Sequence, residues 1–121
     1  MTLRTGVDLV EISRIEDAVS RHGNHLLERI YTSAELDLYG KRVESLASRF
    51  AAKEAVAKAL GCGIGDVTWK EIEVLENRQH APVLHLYGKA VQIADELGLQ
   101  DWSVSLSHSQ SHALAFVVAI G

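Results

Sequence analysis

This chain carries a single cysteine, Cys62, so no intrachain disulfide can form and no cysteine-based zinc set is available. Its single proline, Pro82, and scattered glycines leave no Pro/Gly/Ser-rich linker, repeat or low-complexity tract, so no domain boundary is expected within 1–121. A charged-then-apolar leader is missing, as is any unbroken run of ~18 apolar residues. Basic excess is missing too. With 12 Lys and Arg against 16 Asp and Glu the net charge is −4, which argues against nucleic acid held by a global basic field. These absences predict a cytoplasmic, disulfide-free protein with no membrane and no nucleic-acid partner.

What is present is the balance of one soluble domain, 47% hydrophobic with a mean hydropathy of +0.04. A core of 121 residues leaves little interior for a self-contained active-site cavity, so a site shared between subunits is plausible. Thr5 to Ile12 reads as a strand with Gly6, Asp8, Val10 and Ile12 on one face and Val7 and Leu9 on the other, both buried. Ser13-Arg14-Ile15-Glu16 has the form of a capping box, predicting a helix from Ser13 to about Arg21. Thr32-Ser33-Ala34-Glu35 repeats that signature and starts a helix reaching about Lys41. The longest helix runs from Val43 to Leu60, alanine-rich and stopped by Gly61, Gly63 and Gly65. A hairpin around Asn77 to Ala81, a helix from Lys89 to Leu97, and strands over Trp102 to Ser107 and Ala113 to Ile120 complete the chain. The order β-α-α-α-β-β-α-β-β predicts an α+β domain, its antiparallel sheet packed against the long central helix.

Several residues carry possible chemistry beside a bland alternative. Asp8, on a strand between Gly6 and Val10, needs an ion-pair partner, hydrogen bonds or a metal to be buried as a carboxylate. Glu54 and Lys58 lie about 40° apart on the long helix, an ordinary stabilising pair unless that helix is buried on several sides, as its apolar distribution suggests. Arg49 and Lys53 share another sector, suited to phosphate or simply to solvent. Arg14 and Arg21 lie on one side of the first helix, either a solubilising face or a dock for an acidic partner. The six histidines form no zinc pattern, although His108 could meet a phosphate or purine. The Gly61–Gly65 cluster follows a helix, the wrong context for a dinucleotide fingerprint, and so shapes a loop.

Three segments together resemble the holo-acyl-carrier-protein synthase family, the short 4′-phosphopantetheinyl transferases. They are Gly6-Val7-Asp8-Leu9-Val10-Glu11-Ile12, the F-x-x-K-E-(A/S)-x-x-K helix segment from Phe50 to Lys58 preceded by Arg49, and Ser105-Leu106-Ser107-His108-Ser109. The match spans essentially the whole chain; Tyr31-Thr32-Ser33-Ala34-Glu35 departs from it, affecting loop shape. The resemblance implies a 4′-phosphopantetheinyl transferase-like fold. It also implies transfer of phosphopantetheine from coenzyme A to a serine of acyl carrier protein, releasing 3′,5′-ADP. Asp8 and Glu54 would hold Mg2+, Lys58 would meet phosphate, and Glu54 is the candidate base. Arg49 and His108 would lie near the nucleotide, and Arg14 and Arg21 would face acyl carrier protein. A homotrimer with active sites between subunits is implied as well. A non-catalytic binding module would be favoured had Asp8, Glu54 or Lys58 been lost; a metal nuclease fits poorly with the acidic charge.

Overall fold

The alanines of the long helix set the architecture, because side chains of one methyl let backbones approach closely. In the computed structural model, which describes residues 1–121, this helix is α3 (Val43–Ala59), and Ala47, Ala51, Ala52, Ala55 and Ala59 are fully buried on it. The other elements are β1 (Leu3–Glu11), α1 (Ile12–Ile30), α2 (Ser33–Tyr39), β2 (Ile72–Glu76), β3 (Pro82–Leu86), α4 (Gly88–Glu96), β4 (Asp101–His108) and β5 (His112–Ile120). A single 3-10 turn, Trp69–Glu71, precedes β2. β1, β5 and β4 form one antiparallel sheet in that order, and β2 pairs with β3 as a separate antiparallel hairpin. The expected α+β class and element order are both observed.

β5 occupies the middle of the three-stranded sheet and turns Ala113, Ala115, Val117 and Ala119 inward, all fully buried. Small residues thus face small residues between β5 and α3. Closest approach is at β1: a Cβ built on Gly6 would lie 1.8 Å from the Ala55 carbonyl oxygen, so only glycine fits there. Asp8, two residues further along the same face, is thereby held against α3.

Three expectations need correction. The helix predicted from Ser13 starts at Ile12, and Ser13 makes no cap; the Ile12 N–H instead donates to the Ser111 carbonyl at 2.9 Å, so the β4–β5 turn satisfies the helix end. The same helix continues past Arg21 to Ile30 across a kink at Gly23 (φ 58°), because Leu26, Leu27 and Ile30 beyond the kink join the core. Finally, only one face of β1 is buried. Val7 and Leu9 are exposed beside Phe116 and Leu114 of β5, on a sheet face that no helix covers. By contrast the Thr32 capping box forms as predicted: Glu35 N–H donates to Thr32 Oγ1 at 3.2 Å and Thr32 N–H to Glu35 Oε1 at 2.9 Å.

Candidate active site

β1 and α3 bring Asp8 close to Glu54 and Lys58, which follow it about fifty residues later in the sequence. The Lys58 ammonium, on the last turn of α3, donates to the Val7 carbonyl at 2.9 Å and to Asp8 Oδ1 at 3.2 Å. The helical Glu54–Lys58 pair is not formed; Lys58 reaches across to the strand instead. Glu54, one turn earlier, lines with Asp8, Arg14, Leu26, Tyr31 and Phe50 a cavity of about 470 Å³. Burial chiefly, and then the Asp8 charge, push the Glu54 carboxyl above the ordinary glutamate range, with Lys58 opposing.

A carboxyl whose proton affinity is raised by burial and by a neighbouring carboxylate is an electrostatic problem which a divalent cation relieves. The donors are hard oxygens, and no group of three or more His, Cys, Asp or Glu gathers anywhere in the chain. That set excludes a closed protein cage of the zinc or calcium type. It fits Mg2+, which takes one or two carboxylates and leaves its other positions to water and substrate phosphate.

Arg49 and His108 line a second, polar cavity of about 230 Å³, together with Tyr39, Ser48, Glu76 and His80. Arg49 is held there by three elements: its Nε donates to the Val74 carbonyl at 3.3 Å, and its guanidinium lies 3.6 Å from the centre of the Tyr39 ring. His108, exposed at the end of β4, also borders a larger polar cleft between α1, α3 and the β4–β5 turn. Arg14 and Arg21 share one surface hollow on α1 with Asp17 and His22.

Lys53 is the residue whose expected setting was wrong. It neither faces solvent nor shares a phosphate-binding sector with Arg49, but is fully buried, 2.8 Å from Glu35 Oε1 and hydrogen-bonded to the Trp69 and Ile72 carbonyls. Glu35 Oε2 in turn accepts from the Val74 N–H at 2.9 Å. The ion pair thus ties α2, α3 and β2 together, and desolvation holds the Lys53 pKa below the usual lysine range despite Glu35. Tyr39, Glu76 and His80 escaped the sequence reading. They sit on α2 and on the β2–β3 hairpin, and no spacing along the chain relates them to Arg49.

The chain matches the family model described as "4'-phosphopantetheinyl transferase superfamily" over residues 4–117. It is 52% identical to the holo-(acyl-carrier-protein) synthase of Herpetosiphon aurantiacus, covering 98% of this chain and 99% of that one. It is 48% identical to the synthase of the same name from Dehalococcoides mccartyi, over 97% and 98% of the two chains. Among solved structures, the Helicobacter pylori synthase in complex with coenzyme A superposes with a TM-score of 0.87 at 34% identity, over 96% and 99% of the chains. The Neisseria meningitidis synthase gives 0.86 at 38% identity, over 98% of each chain. With its family model matched across both candidate cavities and its relatives alike over nearly their full length, the chain belongs to the 4′-phosphopantetheinyl transferase superfamily and is an enzyme of its holo-acyl-carrier-protein synthase group.

Proposed function

We propose that this enzyme transfers 4′-phosphopantetheine from coenzyme A to a serine of acyl carrier protein, the step that supplies carrier protein for fatty acid biosynthesis. Asp8 and Glu54 lining one cavity, with Lys58 bonded to Asp8, is the observation that carries the reading. In the reaction the serine oxygen attacks the phosphorus bearing pantetheine. A P–O bond forms to serine, and the P–O bond to 3′,5′-ADP breaks.

Asp8 and Glu54 are the side chains that would hold Mg2+, which when bound neutralises charge on the pyrophosphate. Lys58, already turned toward Asp8, adds a point charge for phosphate oxygens. Glu54, whose proton affinity burial has raised, accepts the serine proton directly or through a water. Arg49 and His108 provide donors for the nucleotide phosphates from the second cavity. Arg14 and Arg21 offer a basic face to the acidic carrier protein.

The working unit in this reading is a homotrimer. Leu3, Val7 and Leu9 of β1 and Leu114 and Phe116 of β5 form an uncovered apolar sheet face, and contact with neighbouring copies removes it from water. A cytoplasmic location accords with the lone Cys62, and no helix is long and apolar enough to cross a membrane.

Mass spectrometry of apo acyl carrier protein incubated with the enzyme, coenzyme A and magnesium tests the activity. The expected result is a carrier protein heavier by one phosphopantetheine. An unchanged carrier-protein mass, with a second carrier protein also unmodified, would overturn the reading.

A further inference from the structure

Arg49 is a largely buried cation whose terminal nitrogens make no hydrogen bond to protein and open onto the polar cavity. Its side chain is only 9% exposed, yet the terminal nitrogens of the guanidinium are not bonded to the one carboxylate nearby: Nη2 lies 3.9 Å from Glu76 Oε1, beyond hydrogen-bond reach. An arginine and a carboxylate this close would ordinarily collapse into a two-pronged pair. Here both oxygens of Glu76 are engaged elsewhere. Oε1 accepts from the Tyr39 hydroxyl at 2.5 Å, and Oε2 meets Nδ1 of His80.

The backbone holds this arrangement in place. His80 sits in the left-handed region (φ 64°), in a turn closed by the Asn77 side chain, whose Oδ1 accepts from Gln79 and Ala81 N–H groups at 2.9 and 3.0 Å. That conformation brings the His80 ring back over Glu76, the last residue of β2. Tyr39 reaches the same carboxylate from the end of α2, and its ring supports the Arg49 guanidinium at 3.6 Å. The Tyr39 hydroxyl first, and then His80, hold the Glu76 carboxyl below the ordinary glutamate range, so it remains an anion.

We propose that Glu76 is a tethered competitor for Arg49, and that Tyr39 and His80 are positioning residues which hold it back so that the guanidinium stays open to a phosphate group of the nucleotide. This rests on the reading above in which Arg49 meets a nucleotide phosphate. Release of either oxygen lets Glu76 turn onto Arg49 and occupy the fork that the phosphate needs. The tether therefore sets nucleotide affinity without touching the ligand.

Calorimetric titration with 3′,5′-ADP, which needs neither carrier protein nor turnover, tests the idea. Tyr39→Phe keeps the ring beneath Arg49 and removes only the hydroxyl. It should weaken binding about tenfold, the scale of one hydrogen bond to a charged group. Glu76→Gln should bind at least as tightly as the wild type, and Tyr39→Phe with Glu76→Gln should recover that affinity. Recovery is the signature, because a loss caused by damaged packing would persist in the double variant. His80→Ala alters a side chain that is 82% exposed, and supplies the same comparison, alone and with Glu76→Gln, should Tyr39→Phe fold poorly. The proposal is overturned if Tyr39→Phe and His80→Ala bind like the wild type, if Glu76→Gln weakens binding, or if the double variants stay as weak as Tyr39→Phe and His80→Ala. Absence of binding by the wild type itself would instead sink the nucleotide reading of Arg49.

Discussion

Asp8 has a structural partner as well as a proposed chemical role, Glu54 only the proposed role, and substitution separates the two. Asp8 is paired with Lys58 on a strand that also needs Gly6, whereas Glu54 takes part in none of the four ion pairs. Asp8→Asn or Glu54→Gln should lower transfer to carrier protein by orders of magnitude while circular dichroism stays native. In the proposed mechanism both act on one phosphate-bearing centre, so the double variant should be little worse than either single one. An Asp8→Asn enzyme within a few-fold of wild type would leave Asp8 a purely structural partner of Lys58. Lys53, adjacent to Glu54 in sequence, belongs to the opposite category. Replacing it by Met strands the buried Glu35 carboxylate and should cost about 3–5 kcal/mol in chemical denaturation.

At the scale of elements, the approach of β1 to α3 leaves no space for a methyl group. Gly6→Ala would force a Cβ to within 1.8 Å of the Ala55 carbonyl oxygen, against backbone that has no rotamer to change. Stability should fall by about 3 kcal/mol or more, at or above the upper end of ordinary overpacking. Transfer activity should fall with it, because Asp8 shifts with the strand. A native melting curve for this variant would mean that α3 can slide away from the sheet.

Glu71 joins two further elements. It accepts from the Thr68 N–H at 2.7 Å at the start of the 3-10 turn and from the Lys89 N–H in the first turn of α4. The Thr68 backbone hydrogen bond foremost holds its carboxyl below the ordinary glutamate range. A folded pKa lower than the unfolded one stabilises above the unfolded value, and that stability is lost as pH falls through the folded value. Glu71→Gln should therefore lower Tm at neutral pH, by the equivalent of about 1 kcal/mol for a lost cap. The gap to wild type should close in acid; a gap independent of pH would show that charge plays no part.

For the whole molecule, two neighbouring residues of β5 distinguish folding from assembly. Val117 is fully buried against α3, while Phe116 projects 43% exposed from the uncovered face. Val117→Asp should unfold the chain, because an unpaired carboxylate cannot stay in that core. Phe116→Asp should leave a folded protein that sediments as a monomer and binds coenzyme A poorly. A Phe116→Asp enzyme that is monomeric and fully active would show that one subunit suffices. Recognition of the carrier protein is separate from assembly. Replacing Arg14 and Arg21 by Glu should raise KM for carrier protein, more at low salt than at high, since exposed charges are screened over about 10 Å at 0.1 M ionic strength. Equal weakening toward coenzyme A would place α1 in the nucleotide cleft instead.

Local chemistry was enough for much of this molecule. The alanine-rich run from Val43 ends in glycines, so α3 and its loop could be read from spacing and propensity alone. The Thr32 capping box involves groups three residues apart, and it formed as written. The apolar run from Ala113 to Ile120 was likewise legible as a strand, and it forms as β5. Motifs at Asp8, at Glu54 and Lys58, and at His108 named the candidate residues before any contact between them was visible. Long-range placement decided the remainder. Lys53 and Lys58 have the same side chain on the same helix, but one is enclosed by α2 and β2 while the other reaches an open strand edge. Ser13 lost its capping role because a carbonyl nearly a hundred residues away satisfied the helix end first. Helix periodicity could not show that α1 continues beyond Gly23, since the reward for doing so is burial against residues distant in sequence. The restraint of Glu76 by Tyr39 and His80 required two elements to meet at a third, and such a meeting is a property of packing in space rather than of spacing along the chain.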